Sequence, residues 1–337
     1  MARVTWLQHR SALIALLALY VGCAIAIVIG EQGTHSGYAS YVANGCVAHL
    51  ANPSCGTIAD TFAGTLDAFS ALVIALNVLP VIVGLFVGAP LLSREFESGT
   101  FRFTWTQGVG RTRFVLTTLA ILAAFVAAAA VVLGLLLGTW AHPFEVIGDE
   151  SQWQSGLFAT TWFMLAAWSL FALAAGVLIG AVIKRTVTAM AVATAGIGGL
   201  LVASFVVFVH RLLAFAPLAT SKISPLGLGL GALNQQAYAG EGQLRGSWLV
   251  RAWFTGPNGN PLGTVAANRV RDQLYGVGKR TTSVDTASWL SLHHDVFWVS
   301  YQPESRFWIF QGAEGVILIA LAVLLAATTI WFATRRA

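Results

Sequence analysis

Six apolar runs, at 11–30, 68–92, 114–138, 157–183, 187–209 and 311–334, dominate this chain. Each is close to the ~20 residues that a helix needs to cross a bilayer core. The short connections between them sort charge by side. Arg3, Arg10, Arg94, Arg102, Arg111, Arg113, Lys184, Arg185, Arg335 and Arg336 all fall at the two termini, in loop 93–113 or in loop 184–186. Loops 31–67 and 139–156 have no Lys or Arg, only acids such as Asp60, Asp67, Asp149 and Glu150. The positive-inside rule puts the termini and the two basic loops in the cytoplasm. The expectation is an all-α polytopic membrane protein with six transmembrane helices and both ends inside.

Composition points the same way. A chain that is 57% hydrophobic and 10% charged cannot hide its apolar surface in one soluble core. The remaining nine Lys and Arg lie in the long segment 210–308, and segments of that length cross a membrane largely regardless of charge. A nucleic-acid role has no basic domain to rest on. The organisation expected is a cytoplasmic interfacial lead-in at 1–10, spans one to five over 11–209 with a cytoplasmic loop 93–113, an extracytoplasmic segment of mixed structure at 210–308, and the sixth span with a cytoplasmic tail at 309–337.

The first run carries a positive start and a Gly22-Cys23 pair that faintly resembles a lipoprotein cleavage site. Tyr20, however, stands where such a site has Leu, and the apolar stretch continues through Ile29. Cleavable segments have a shorter apolar core of ~7–15 residues, so the run reads as an uncleaved span. Cys46 and Cys55 lie in the first outer loop, with Asn52-Pro53 between them to favour a turn. On the oxidising side of a membrane such a pair favours a disulfide. A metal site built from them with His35 and His49 matches no zinc spacing, and no other metal site is expected. Cys23 reads as a small buried hydrophobe.

In segment 210–308, Trp248–Phe254 reads as extended and Gly256-Pro257-Asn258-Gly259-Asn260-Pro261 as a turn, together a hairpin. Trp289, Phe297, Trp298, Tyr301, Phe307 and Trp308 crowd towards the last span and read as an interfacial aromatic belt, or as a lid over an outer vestibule. Two motifs are decoys. Residues 276–281 resemble a phosphate loop, but Gln273 stands where the first Gly belongs, and no Ser or Thr directly follows Lys279. His293-His294-Asp295 are adjacent residues, which point apart on a helix or a strand and do not readily share an ion. No catalytic constellation is visible.

Loop 93–113 interleaves charge with aromatics. If it were helical, Phe96 with Phe103 and Phe101 with Trp105 would gather along one side, with Arg94, Glu95 and Glu97 turned towards the cytosol. The plain reading is an amphipathic connector; the functional one is a docking element. This loop resembles the Glu-x-x-x-Gly-Thr…Thr-Gln…Arg signature of permease subunits of type-2 ATP-binding cassette (ABC) transporters, through Glu95, Gly99, Thr100, Thr106, Gln107 and Arg111. Actinobacterial permeases of this kind are similar in three further places. These are Trp-Leu-Gln-His-Arg at 6–10, Gly-Ala-Pro-Leu-Leu at 88–92, and Gln302-Pro303-Glu304-Ser305-Arg306-Phe307-Trp308 with Gln311 and Glu314.

The resemblance implies a multi-pass subunit of a bacterial plasma membrane, surrounded by lipid and paired with a second copy or a second permease. A separate cytosolic ABC ATPase subunit would bind ATP and Mg, and this chain would need no cofactor of its own. Residues Arg94, Glu95, Phe96, Glu97, Gly99, Thr100, Gln107 and Arg111 would form the coupling loop seated on that ATPase. Val4–Arg10 would lie along the inner interface as a second contact, and transport would run outward.

Three further features come from the residues themselves. Gly84 with Gly88, Gly134 with Gly138 and Gly176 with Gly180 suit close helix packing, within one bundle or at a dimer face. Asn77 and Pro80 put an amide and a helix breaker inside the second span, suited to a path or a hinge. Arg306, Gln311 and Glu314 stand at the start of the last span as outer-gate candidates, with Arg306 the natural partner of the Glu314 carboxylate. The leading function is an exporter permease for an amphiphilic substrate. The alternatives are a non-transporting sensor or scaffold working through loop 93–113, and an intramembrane enzyme using His293, His294 or Asp295.

Overall fold

In a computed structural model of the chain, the structure describes residues 2–46, 53–98, 111–147, 151–207, 216–222, 246–263, 265 and 296–335. Within these, six helices are long and apolar enough to cross a membrane: Ile14–Ala43, Leu66–Glu97, Val115–Val146, Trp162–Ile183, Thr186–Val206 and Glu304–Phe332. The chain is an all-α polytopic membrane protein carrying one small sheet. It divides into two units. One comprises Met1–Pro143, Ser155–Val209 and Gln311–Ala337; the other comprises Phe144–Gln154 and His210–Phe310.

In the span unit, α1 runs unbroken over Ala2–Ala43, so residues 2–10 continue the first span's helix with no break between them. At 1.5 Å per residue this helix is roughly 63 Å long, about twice the hydrocarbon thickness. Its last third is helical where the charge pattern reads a loop from residue 31. It folds against α2 (Pro53–Ala63) and against the start of α3 (Leu66–Val83). The disulfide Cys46–Cys55, with Cα atoms 5.6 Å apart, closes the α1–α2 turn as the cysteine pair foretold. Beneath it, Trp140 Nε1 donates to Thr34 Oγ1 at 2.8 Å, and the Thr34 and Thr65 hydroxyls lie 2.8 Å apart. Thr65 also reaches Phe62 O at 2.7 Å, so a chain of donors leaves none of these buried groups without a partner. Tyr41 and Phe62 pack edge to face above it.

The second span is α3, a π-helical turn at Gly84–Gly88, and α4 (Ala89–Ser98). Pro80 lies ahead of the turn and Pro90 just past it; neither has an N–H to donate, and each ring crowds the preceding turn. The ladder slips by one residue, and Ala89 N–H donates to Gly84 O, five residues back. This turn meets α7 (Trp162–Ile183), the most deeply buried span. Added Cβ atoms at Gly84 and Gly88 would lie 2.8 Å from the carbonyl oxygens of Ala172 and Leu173; at Gly176 and Gly180 they would run into Gly84 O and Ala89 O. The two glycine pairs thus face each other inside one bundle. In a lipid solvent, where burial of apolar surface drives little, such close backbone approach holds helices together. Gly134 abuts Trp162 instead, and Gly138 has open space.

Span three is α5 (Arg111–Ile147). A six-residue helix, α6 (Ser155–Thr160), precedes α7, and α8 (Thr186–Val206) follows it. Span six is α9 (Phe307–Arg335), entered through a 3₁₀ turn at Glu304–Arg306.

The outer unit contains a three-stranded antiparallel sheet in the order β1 (Ala219–Lys222), β3 (Val296–Gln302), β2 (Trp248–Thr255). The extended reading of Trp248–Phe254 and the turn after it are both present, with Gly259 at φ +72° and a bridge between Thr255 and Pro261. The local hairpin goes no further, and β2 pairs with β3 from Trp248↔Gln302 to Thr255↔Val296. The belt reading fails for Phe297 and Phe307, which are buried in this unit, while Trp308 is exposed. Trp153, from the loop after α5, is fully buried among them. It stacks on Trp248 at 6.2 Å, meets Phe307 and Phe310 edge-on at 5.3 and 5.7 Å, and donates Nε1 to Gly246 O at 2.8 Å. Tyr301 is half-buried, and Trp298 stacks on Trp253. Trp289, residues 276–281 and His293–Asp295 lie outside the described residues, as does His49.

Candidate functional site: the inner loops and the second span

The inner end of the second span is the last turn of α4, and it carries half of the coupling residues expected from sequence. Arg94 and Glu97 are exposed; Glu95 and Phe96 are half-buried. Gly99, Thr100 and Gln107 lie outside the described residues. Arg111 begins α5, and its side chain is likewise outside them.

Glu97 does more than stand exposed at the end of the span. Its Oε2 accepts the backbone N–H of Thr186, the first residue of α8, at 2.9 Å. That helix begins at Arg185, whose side chain makes no capping hydrogen bond. Basic residues at a helix N-terminus oppose the macrodipole, yet side-sorting of charge puts Lys184 and Arg185 there. A carboxylate brought from 89 residues away offsets both, satisfying an orphan N–H and supplying the favoured charge. Lys184 adds a second tie. It ends α7 in the left-handed conformation (φ 58°) and places Nζ 5.5 Å from the Phe96 ring centroid. Ser93 Oγ donates to Ala89 O at 2.8 Å and only grazes Thr186 Oγ1 at 3.4 Å. Sequence spacing signalled none of this, since the pairings join two loops. The one legible hint was the basic pair Lys184–Arg185 directly before the start of a span.

Higher in the span, Asn77 is buried and donates to Val73 O at 2.8 Å and to Gly156 O at 3.1 Å. With Pro80 it lines a cavity of about 10 Å³, room for roughly one water, beside Ala159, Leu165, Trp168, Leu201, Ser204 and Phe205. Asn77 and Pro80 are therefore brought together, where spans two, four and five meet.

Of the outer-gate candidates, Gln311 and Glu314 belong to the span unit and Arg306 to the other. Gln311 is fully buried; its Nε2 donates to Phe158 O at 2.9 Å and its Oε1 accepts from Thr161 Oγ1 at 2.8 Å. It thereby satisfies the broken backbone between α6 and α7. Glu314 is buried one turn further on. Arg306 belongs to the outer unit, where its Nη1 donates to Pro217 O at 2.6 Å and to Gln302 Oε1 at 2.9 Å. Among the described residues, no group of three or more His, Cys, Asp or Glu side chains is placed to hold a metal ion.

Six helices long and apolar enough to cross a membrane, with a glycine-packed second span that carries a π-turn, define a multi-pass membrane protein. Residues 2–209 match the family model described as ABC-2 membrane transporter related. The chain belongs to that family, whose members are membrane components of ABC transporters and work with a cytosolic ATPase subunit. Comparisons with curated proteins and with solved structures found no match.

Proposed function

We propose that this chain is the permease subunit of an ABC exporter of a bacterial plasma membrane, moving an amphiphilic substrate outward with ATP hydrolysed by a separate subunit. The observation that carries the reading is the continuity of the second span. One helical path runs from the Asn77–Pro80 cavity, through the π-turn packed on α7, to Arg94–Glu97 at the inner end. Such a path is what a coupling loop needs in order to move the membrane core. ATP and Mg belong to the partner, and the residues of this chain receive the motion. In this reading Arg94, Glu95, Phe96 and the residues that follow to Arg111 seat on the ATPase. Closure of the ATPase dimer then shifts the bundle between inward- and outward-facing states. The cavity beside Asn77 is the narrowed part of the path, and the slipped ladder between Pro80 and Pro90 lets one wall move. A second permease, identical or related, completes the assembly.

The test is co-purification of the tagged chain with ATPases from its own membrane, with Glu95→Lys and Gly99→Leu alongside. Recovery of an ATPase with wild type and its loss from both variants is the expected result. Recovery unaffected by either variant, or none at all under conditions that keep other such complexes whole, counts against the reading and favours a sensor or scaffold.

A further inference from the structure

We propose that the turn 184–186 is part of the coupling element, and that Glu97 is the positioning residue that makes it so. The proposal takes its partner from the permease reading above, and its geometry from the chain itself.

Three elements meet at the inner face: the last turn of α4, the end of α7 and the start of α8. Phe96 ties the first to the second through Lys184, and Glu97 ties the first to the third through Thr186 N–H. The start of α8 has no side-chain cap of its own. Along its length α8 buries only Ala189, Ala193 and Ile197, small side chains apart from the isoleucine. A helix held so lightly through its middle follows whatever holds its end. A push on loop 93–113 therefore reaches span five through Glu97 as directly as it reaches spans two and three through the chain.

The same contacts shape the surface offered to the partner. Among the described residues of the two loops, the exposed charged side chains are Arg94, Glu97, Lys184 and Arg185, and the Glu97 carboxylate is directed onto the Thr186 amide. The surface is basic and drawn from both loops, and the groove that receives it is acidic.

Thr186 offers a clean test, because it occupies the first position of α8. Proline is well tolerated there, and the substitution removes the one N–H that Glu97 accepts. Thr186→Pro and Glu97→Ala are compared singly and together, with Thr186→Ser as the control that keeps the N–H. All are assayed as the full chain in nanodiscs with its co-purified ATPase. Each single variant is expected to lower chain-dependent ATP hydrolysis by roughly 2- to 30-fold, the range that one residue on a coupling route commands. The double variant should be no worse than either single, since both remove one contact. Arg185→Glu should reduce the amount of ATPase recovered, more steeply as salt is lowered.

Unchanged hydrolysis in the single variants, multiplying effects in the double, or full recovery with Arg185→Glu would overturn the proposal while leaving the permease reading intact. If wild type recovers no ATPase, the permease reading falls and the docking surface falls with it. The tie is still decided by the thermal midpoints of the chain alone, which should drop by about 2–4 °C in each single variant and no further in the double.

Discussion

Spans four and five are adjacent in sequence, similar in length and almost equally apolar, yet they are built into the bundle in opposite ways. Of the most apolar window of α7, 72% is buried inside the chain; of that of α8, 22%. The difference lies in which residues share a face. In α7, Gly176 and Gly180 let the π-turn and α4 approach its backbone, and Met164, Leu165, Trp168 and Phe171 fill the other sides. In α8, Gly196, Gly198 and Gly199 have open space around them, and a narrow seam of Ala189, Ala193 and Ile197 makes the contact. Apolarity tells that a segment crosses a membrane. Backbone approach tells whether it sits at the centre or the rim. A rim helix must be fixed at its end, which here is the work of Glu97.

The contrast can be broken most forcefully at the glycines. Gly176→Val would drive a branched side chain into Gly84 O, where only backbone can give way. Overpacking of this kind costs at least about 1–3 kcal/mol. Loss of the monodisperse peak in fluorescence-detected size exclusion is the expected outcome, and a normal peak would remove α7 from the centre of the account. Next in size is Gln311→Leu, which removes the hydrogen bonds to Phe158 O and from Thr161 Oγ1 at the break before α7 and leaves their 3.2 Å contact with each other. Two lost hydrogen bonds of about 0.5–1.5 kcal/mol each are to be read as a fall in thermal midpoint.

Those two positions also show what was legible beforehand. The six spans, the Cys46–Cys55 bridge and the extended stretch from Trp248 were readable because each depends on local pattern or on proximity in the chain. The polar tail of α1 was not, since Glu31, Thr34 and His35 break the apolar run. Their helix is held instead by Trp140, Thr65 and Phe62 from elsewhere. Trp153 looked like one loop aromatic among many, and only the fold puts it in the core of the outer unit. Asn77, Pro80, Gln311 and Glu314 were picked out because polar groups and prolines are costly inside spans. Arg306 was the partner expected for Glu314, but the partners of Asn77 and Gln311 were not legible, because an accepting carbonyl elsewhere in the fold leaves no mark in the sequence. Pro90, ten residues after Pro80, is the sign of the slipped ladder that the sequence does carry.

Two smaller effects sharpen the comparison at α8. Glu97→Ala removes a cap worth about 0.5–2 kcal/mol, and should lower the thermal midpoint modestly while speeding hydrogen exchange in the first turn of α8 more than elsewhere. Uniform exchange along the helix would mean that its seam, not its end, holds it. Gly199→Val, into open space, should shift the stability of the chain by no more than about 0.5 kcal/mol. A loss comparable to that at Gly176 would show α8 to be packed as tightly as α7.

The central claim is that the inner loops receive work from a separate ATPase. The most direct measurement is ATP hydrolysis by the purified partner ATPase in nanodiscs, with and without this chain, and with Glu97→Ala in place of wild type. The account predicts that wild type raises the rate and that the variant binds the ATPase but raises the rate far less. An ATPase whose rate is indifferent to the presence of the chain would contradict it.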